Sequence, residues 1–164
     1  MKKIYSSTKP DSFGFCVVDG KSRRFLNYSI RNTTITEMQG VWDAFVERER
    51  VVNPEINLSE KPEMWFIEQH EWQYNQLLLP TGLWSYEVVV EAIIRDKYSQ
   101  SEMEAITNNM TAVLSGFLQD LATNGILSAT KWLVSNIDQD NTTRFSEMQA
   151  WRKFAKDTAK SYFK

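Results

Sequence analysis

Asp19-Gly20 stands between two apolar, partly β-branched runs, and no other feature narrows the folding choices of this chain so far. The runs are Phe13-Gly14-Phe15-Cys16-Val17-Val18 and Arg24-Phe25-Leu26-Asn27-Tyr28-Ser29-Ile30. A type I′ turn needs positive φ at both central residues, and Asp-Gly meets that need, so the spacing predicts a β-hairpin. Within the second run Leu26, Tyr28 and Ile30 alternate onto one face, leaving Phe25, Asn27 and Ser29 on the other. Ile4-Tyr5 is expected to add a short third strand.

The pattern then changes period. Thr34-Ile35-Thr36-Glu37 is a capping box, in which the threonine hydroxyl takes a free helix N–H and the glutamate reaches back. The helix after it should place Ile35, Met38, Trp42 and Phe45 on one stripe and stop at Asn53-Pro54. Glu55 to Pro62 reads as a loop. Met64-Trp65-Phe66-Ile67 looks like the start of a strand, with Phe66, Glu68, His70, Trp72 and Tyr74 on one face. Pro80-Thr81-Gly82 signals a turn. Val88 to Ile94 fits a helix capped by Ser85 and fits a strand equally well.

From Ser99 onward the helical period dominates. Ser99-Gln100-Ser101-Glu102 is a second capping box. Met103, Ile106, Met110, Val113, Phe117 and Leu121 keep helical spacing until Asn124-Gly125 supplies a left-handed stop. A shorter apolar segment runs from Ile126 to Ile137. After a polar loop from Asp138 to Thr143, a last helix should bury Phe145, Met148, Trp151, Ala155, Ala159 and Tyr162. Methionines at such spacings fill gaps in a core.

These elements define an α+β chain: an N-terminal antiparallel hairpin or small sheet packed with a helix, then a mainly helical half. With 164 residues the expectation is one domain, 1–164, made of an α+β part (1–82) and a helical part (83–164). Nine Phe, six Tyr and six Trp are expected mostly in the core.

One histidine and one cysteine remove most metal and nucleophile chemistry before any motif is read. Neither a His-His-Glu zinc site nor a two-histidine iron site can form from His70 alone. His70-Glu71-Trp72-Gln73-Tyr74 opens like a zinc-protease helix, but tyrosine stands where the second histidine must be. Gly14 to Ser22 resembles a phosphate loop one residue too long, and strand-like residues fill its middle. Asp138-Gln139-Asp140-Asn141-Thr142 resembles the opening of a calcium loop, but lacks the turning glycine and the closing glutamate. Cys16, inside an apolar strand, is expected to be a buried, inert thiol with no internal disulfide partner. No cofactor is expected.

One enzymatic or ligand-binding arrangement remains: Glu68 orienting His70 beside Trp72, a carboxylate–imidazole pair suited to general-base work. It requires all three side chains to line one pocket.

Charge is uneven. Residues 1–31 hold seven basic and two acidic side chains, 32–150 hold seven and eighteen, and 151–164 hold five and one. The total of −2 is therefore an acidic centre between two basic ends. Arg152, Lys156 and Lys160 recur every four residues on the last helix. Such a stripe is a solvated face that suits the C-terminal dipole, or a contact surface for an acidic partner. Nucleic-acid binding would need residues 21–31 and 152–164 to converge on one face. The basic start lacks the apolar core of a signal peptide and no run is long enough to span a membrane, so a cytoplasmic or virion-associated chain is expected.

Ile93-Ile94-Arg95-Asp96-Lys97-Tyr98-Ser99-Gln100, followed by Glu104-Ala105-Ile106-Thr107-Asn108-Asn109, is similar to a run in small phage and prophage proteins. There an Ile-Arg-x-Lys-Tyr-Ser stretch leads into a helix, and a polar break precedes a last helix of Tyr/Trp-Arg-x-x-Ala-Lys type. Phe145 to Lys156, with Trp151-Arg152 and Ala155-Lys156, resembles that last element. Between the two, this chain carries an additional segment from Met110 to Thr143. Such proteins are encoded near tail-fibre genes, so the resemblance implies a non-enzymatic tail or assembly component. It would work through a protein partner or self-association.

Overall fold

A computed structural model describes residues 3–54, 61–80 and 84–163. Of the expected loop from Glu55 to Pro62, residues 55–60 lie outside the described residues, as do Thr81 and Gly82 of the expected turn. The chain divides into two compact units, Met1–Gly82 and Leu83–Lys164.

In the first unit, strands β1 (Lys3–Ser6), β2 (Phe13–Val18), β3 (Lys21–Asn32) and β4 (Trp72–Leu78) form one antiparallel sheet of order β1-β4-β3-β2. The Asp-Gly hairpin is present: Asp19 and Gly20 have φ of 52° and 70°, and β2 pairs with β3 from Val18↔Lys21 to Phe13↔Leu26. Gly14 has a second cause. A Cβ there would lie 2.1 Å from the ring of Phe25, so only glycine lets the ring cross the strand.

Strand β3 departs from simple alternation. Leu26 and Tyr28 are fully buried, but Asn27 between them is buried as well. Its amide donates to the Asp11 carbonyl (2.8 Å) and accepts from Gln76 (2.9 Å), which satisfies the group inside the sheet. The register then shifts between Tyr28 and Arg31, with Ser29 at φ 54°. This irregularity ends the expected face before Ile30, which is only half-buried.

Helix α1 (Ile35–Val52) starts at the Thr34/Glu37 capping box. Its buried stripe is Met38, Trp42 and Val46, with Phe45 packed alongside, while Ile35 is 90% exposed. Glu37 also takes both guanidinium nitrogens of Arg31, one at 2.7 Å. The Arg31 bonds first, then those from Thr34, hold its carboxyl down at about 2. Because the folded-state value is depressed, this contribution is complete above the ordinary glutamate range and is lost as pH falls through about 2. Carboxyl titration by NMR should therefore find Glu37 still ionised at pH 3, and Arg31→Ala should return it toward ordinary glutamate values. An ordinary value in the wild type would show that the two-pronged bond does not form.

Met64 to Gln69 is helix α2, not the expected strand. One turn suffices to bury Phe66 against Trp42, whereas period-two alternation would bury the whole run 66–74 on one face. The strand begins only at Trp72.

The second unit is helical: α3 (Tyr86–Lys97), α4 (Gln100–Asn124), α5 (Ile126–Asn136) and α6 (Gln139–Tyr162). Val88 to Ile94 is helix, because Ser85 accepts from the Val88 N–H and Val89 and Ile93 bury one face. Ser99 and Glu102 cap α4 reciprocally, and Gly125, at φ 78°, ends it. The polar stretch expected as a loop, Asp138–Thr143, is the cap and first turn of α6. Asp138 accepts from the Asp140 N–H, and the Thr142 and Thr143 hydroxyls bond back to Asp138 and Gln139.

Helix α6 buries Met148, Ala155 and Ala159, with Phe145, Trp151 and Tyr162 half-buried. Met148 meets Met103 and Ile106 of α4, with Ile94, Tyr98 and Phe145 around them. Trp151 donates to the Ile93 carbonyl (3.0 Å), which fixes α6 along α3. Further on, α4 packs against α5, where the Trp132 ring lies on Gly116. No helix among the described residues is long and apolar enough to cross a membrane.

Candidate functional site

The three residues of the imidazole-centred arrangement are placed apart. His70 follows α2 as its C-cap, and its Nδ1 bonds to the Phe66 carbonyl at 2.8 Å. Since a carbonyl only accepts, that nitrogen carries the proton in the neutral ring and leaves Nε2 as the acceptor. The ring stacks on Phe66 (4.0 Å, 16°), with Tyr5 5.3 Å away. Glu68 is exposed and makes no bond to the imidazole. Trp72 sits in β4 opposite Ser6 and Asn32, with the Lys9 ammonium 5.6 Å from its ring.

His70 does line a groove, of about 380 Å³, together with Val41, Ala44, Phe45, Arg48, Trp65 and Phe66. Neither Glu68 nor Trp72 belongs to it. The strand face that was to align the three does not exist, because helix α2 rotates Glu68 away before His70 is reached. Among the described residues the groove offers an aromatic wall, one imidazole acceptor and one guanidinium, and no carboxylate lines it. No group of three or more His, Cys, Asp or Glu side chains is placed to hold a metal ion among the described residues.

The basic stripe of α6 is only partly a free cationic face. Arg152 and Lys156 line a groove of about 430 Å³ against α3, where Glu87, Glu91 and Arg95 line it too. Glu91 pairs with Arg95 at 2.5 Å. Lys153 pairs with Asp157 at 3.0 Å, while Lys160 is exposed one turn further on. Carboxylates are thus interleaved with the cations. A surface of this kind suits a mixed-charge protein contact better than a polyanion.

Sequence reasoning missed a third surface, on the α4–α5 hairpin. Gly116 and Trp132 meet on one flank of the hairpin. Helical geometry then turns Leu114 and Leu118 of α4, and Ile126 and Val134 of α5, toward the opposite flank, with Ile137 just beyond. All five are exposed, Leu118 at 60% and Val134 at 72%. Exposed apolar side chains turned to one flank make it a candidate contact surface. A signal was present in the sequence: between Ala105 and Ile137 only Asp120 and Lys131 carry charge. A helical hairpin that meets water on its outer sides ordinarily carries many more.

Comparison with protein-family models, with curated proteins and with solved structures found no match for this chain.

Proposed function

We propose that this chain is a non-enzymatic structural or assembly protein of phage or prophage type, acting through protein–protein contacts. The observation that carries the reading is the open apolar flank of the α4–α5 hairpin, formed by Leu114, Leu118, Ile126, Val134 and Ile137. The residues that resemble small phage proteins fall on α3, the first half of α4, and α6. The additional segment, Met110 to Thr143, supplies the rest of α4 and all of α5. On this reading a shared helical frame carries a hairpin whose exposed flank selects the partner, and the mixed-charge groove at Arg152 and Lys156 flanks the frame.

Co-expression with the products of neighbouring genes tests it. The chain is expected to co-elute with one of them, and Leu114→Asp with Leu118→Asp should weaken that complex at least tenfold. Both positions are exposed, so the doubly substituted chain should keep its helical circular dichroism and its unfolding midpoint. A chain that elutes alone with every neighbour defeats the reading. A complex untouched by the two aspartates would place the contact elsewhere.

A further inference from the structure

The flank of the α4–α5 hairpin away from Leu114 and Leu118 carries a polar groove. Gly116, Gln119, Asp120, Thr123 and Asn124 recur at i, i+3, i+4, i+7 and i+8, so they form one stripe along α4. Trp132 of α5 bounds the stripe, and the groove between them measures about 350 Å³, enough for a small molecule. A Cβ at position 116 would lie 2.1 Å from the Trp132 ring, so glycine lets the ring settle on the α4 backbone. The indole is half-buried there, and its remaining surface lines the groove.

The polar groups of this stripe keep most of their hydrogen-bonding capacity. Asn124 donates one N–H to Asp120 Oδ1 (2.7 Å), which leaves its second N–H and its own carbonyl oxygen open. Asp120 Oδ2 accepts no hydrogen bond and is shielded from water, an uncommon condition for a carboxylate oxygen. Thr123 donates to the Gln119 carbonyl (2.9 Å) and can still accept. Among the described residues the Gln119 amide and the Trp132 indole N–H bond to nothing in the chain. No Lys or Arg lines the groove among those residues, so it holds no counter-charge for a phosphate or a carboxylate.

We propose that this groove binds a neutral saccharide, with one pyranose ring seated against Trp132. A sugar hydroxyl both donates and accepts, and the stripe answers both: Asp120, Asn124 and Thr123 accept, while Gln119, Asn124 and the indole N–H donate. The indole meets the C–H face of the pyranose, the apolar part of the sugar. A turn about χ2 of Asp120, a broad torsion, presents Oδ2 to a hydroxyl. Positions 119 to 124 span about 7.5 Å along the helix axis, so their polar groups stand at different heights. That stagger suits hydroxyls around a puckered ring; the flat edge of a base would meet one level only. A quaternary ammonium would use the indole and Asp120 and leave the amides without a role. The site does not depend on the apolar flank and stands if Leu114 and Leu118 meet no partner.

Saturation-transfer difference NMR on the full chain supplies the test, with the methyl pyranosides of glucose, galactose, mannose and N-acetylglucosamine as probes. At least one is expected to take saturation at its ring C–H protons. The same probe should shift the Trp132 indole N–H resonance, assigned by its loss in Trp132→Phe. Asp120→Asn and Trp132→Ala should each weaken that probe at least tenfold, as expected for a lost hydrogen bond to a charged group or a lost stacking surface. Asp120→Asn keeps the shape of the side chain and should leave the unfolding midpoint unchanged, which guards against a folding defect in the alanine variant. Because the ligand carries no charge, a tenfold rise in salt should alter its affinity less than twofold. Choline chloride and adenosine run in parallel: if either shifts the Trp132 resonance while no pyranoside does, the saccharide assignment is overturned. It is overturned equally if none of the pyranosides binds, or if binding survives both substitutions.

Discussion

Replacing Trp42 with alanine is expected to remove about 3–5 kcal/mol of stability, the largest loss of any single substitution in the first unit. Trp42 is 1% exposed and is the largest fully buried side chain among the described residues. It lies edge-on to Phe66 at 4.9 Å and 80°, with Phe45 at 5.6 Å and Trp65 at 6.5 Å. Truncation removes the transfer free energy of an indole and leaves a cavity, because α1 and α2 are held by their own backbone bonds and cannot close over it. The lost ring pairs add about 0.5–1.5 kcal/mol each beyond buried area. Against a total stability of about 5–15 kcal/mol, the variant should unfold at far lower urea concentration. Trp42→Phe, which keeps an aromatic edge on Phe66, should cost well under half as much. Urea titration followed by circular dichroism measures both. A loss below about 1.5 kcal/mol for the alanine variant would show that Trp42 does not anchor α1 on α2, since buried aromatic truncations cost at least twice that.

Trp42 was legible as core because it falls on a helical stripe that opens at a capping box, and both signals are contiguous in the chain. The same holds for Ser99/Glu102, for the Asp19-Gly20 turn, and for the stripe that buries Met148, Ala155 and Ala159. Features that depend on distant partners were not legible. Asn27 is buried because Asp11 and Gln76 complete its hydrogen bonds, and neither is adjacent in sequence. Helix α2 has no side-chain cap, and a single turn is too short to establish a period. Its absence from the reading placed Glu68, His70 and Trp72 on a strand face that the chain does not make. Asp138–Thr143 is polar enough for a loop, yet an aspartate cap and two threonine back-bonds hold it helical.

The candidate contact surface was hidden for a different reason. Met110, Val113, Phe117 and Leu121 mark one side of α4 as inner, and Leu114 and Leu118 look like a widening of the same stripe. Periodicity reports that a side chain is apolar; it does not report whether a neighbour covers it. Along its first half α4 meets α6, and along its second half α5, which is short and leaves one flank open.

Met148→Ala is the second large effect expected, a loss of about 2–5 kcal/mol. Met148 is fully buried where α6 meets α4, among Met103, Ile106 and Phe145, with Ile94 and Tyr98 of the α3 end closing the cluster. Its removal leaves a void bordered by three helices, none of which can shift without disturbing the Trp151–Ile93 hydrogen bond or the Ser99 cap. Met148→Leu, close in volume, should cost under about 1.5 kcal/mol. That contrast decides what the methionine does, since a sulfur-specific role would make leucine nearly as harmful as alanine. It also separates frame from surface within the second unit. Met148→Ala should lower the unfolding midpoint, and any partner would be lost only as the folded fraction falls. Leu114→Asp with Leu118→Asp should lose the partner from a chain that remains fully folded. If instead the two aspartates destabilise as strongly as Met148→Ala, the α4–α5 flank is core that some part of this chain covers, and the contact reading fails there.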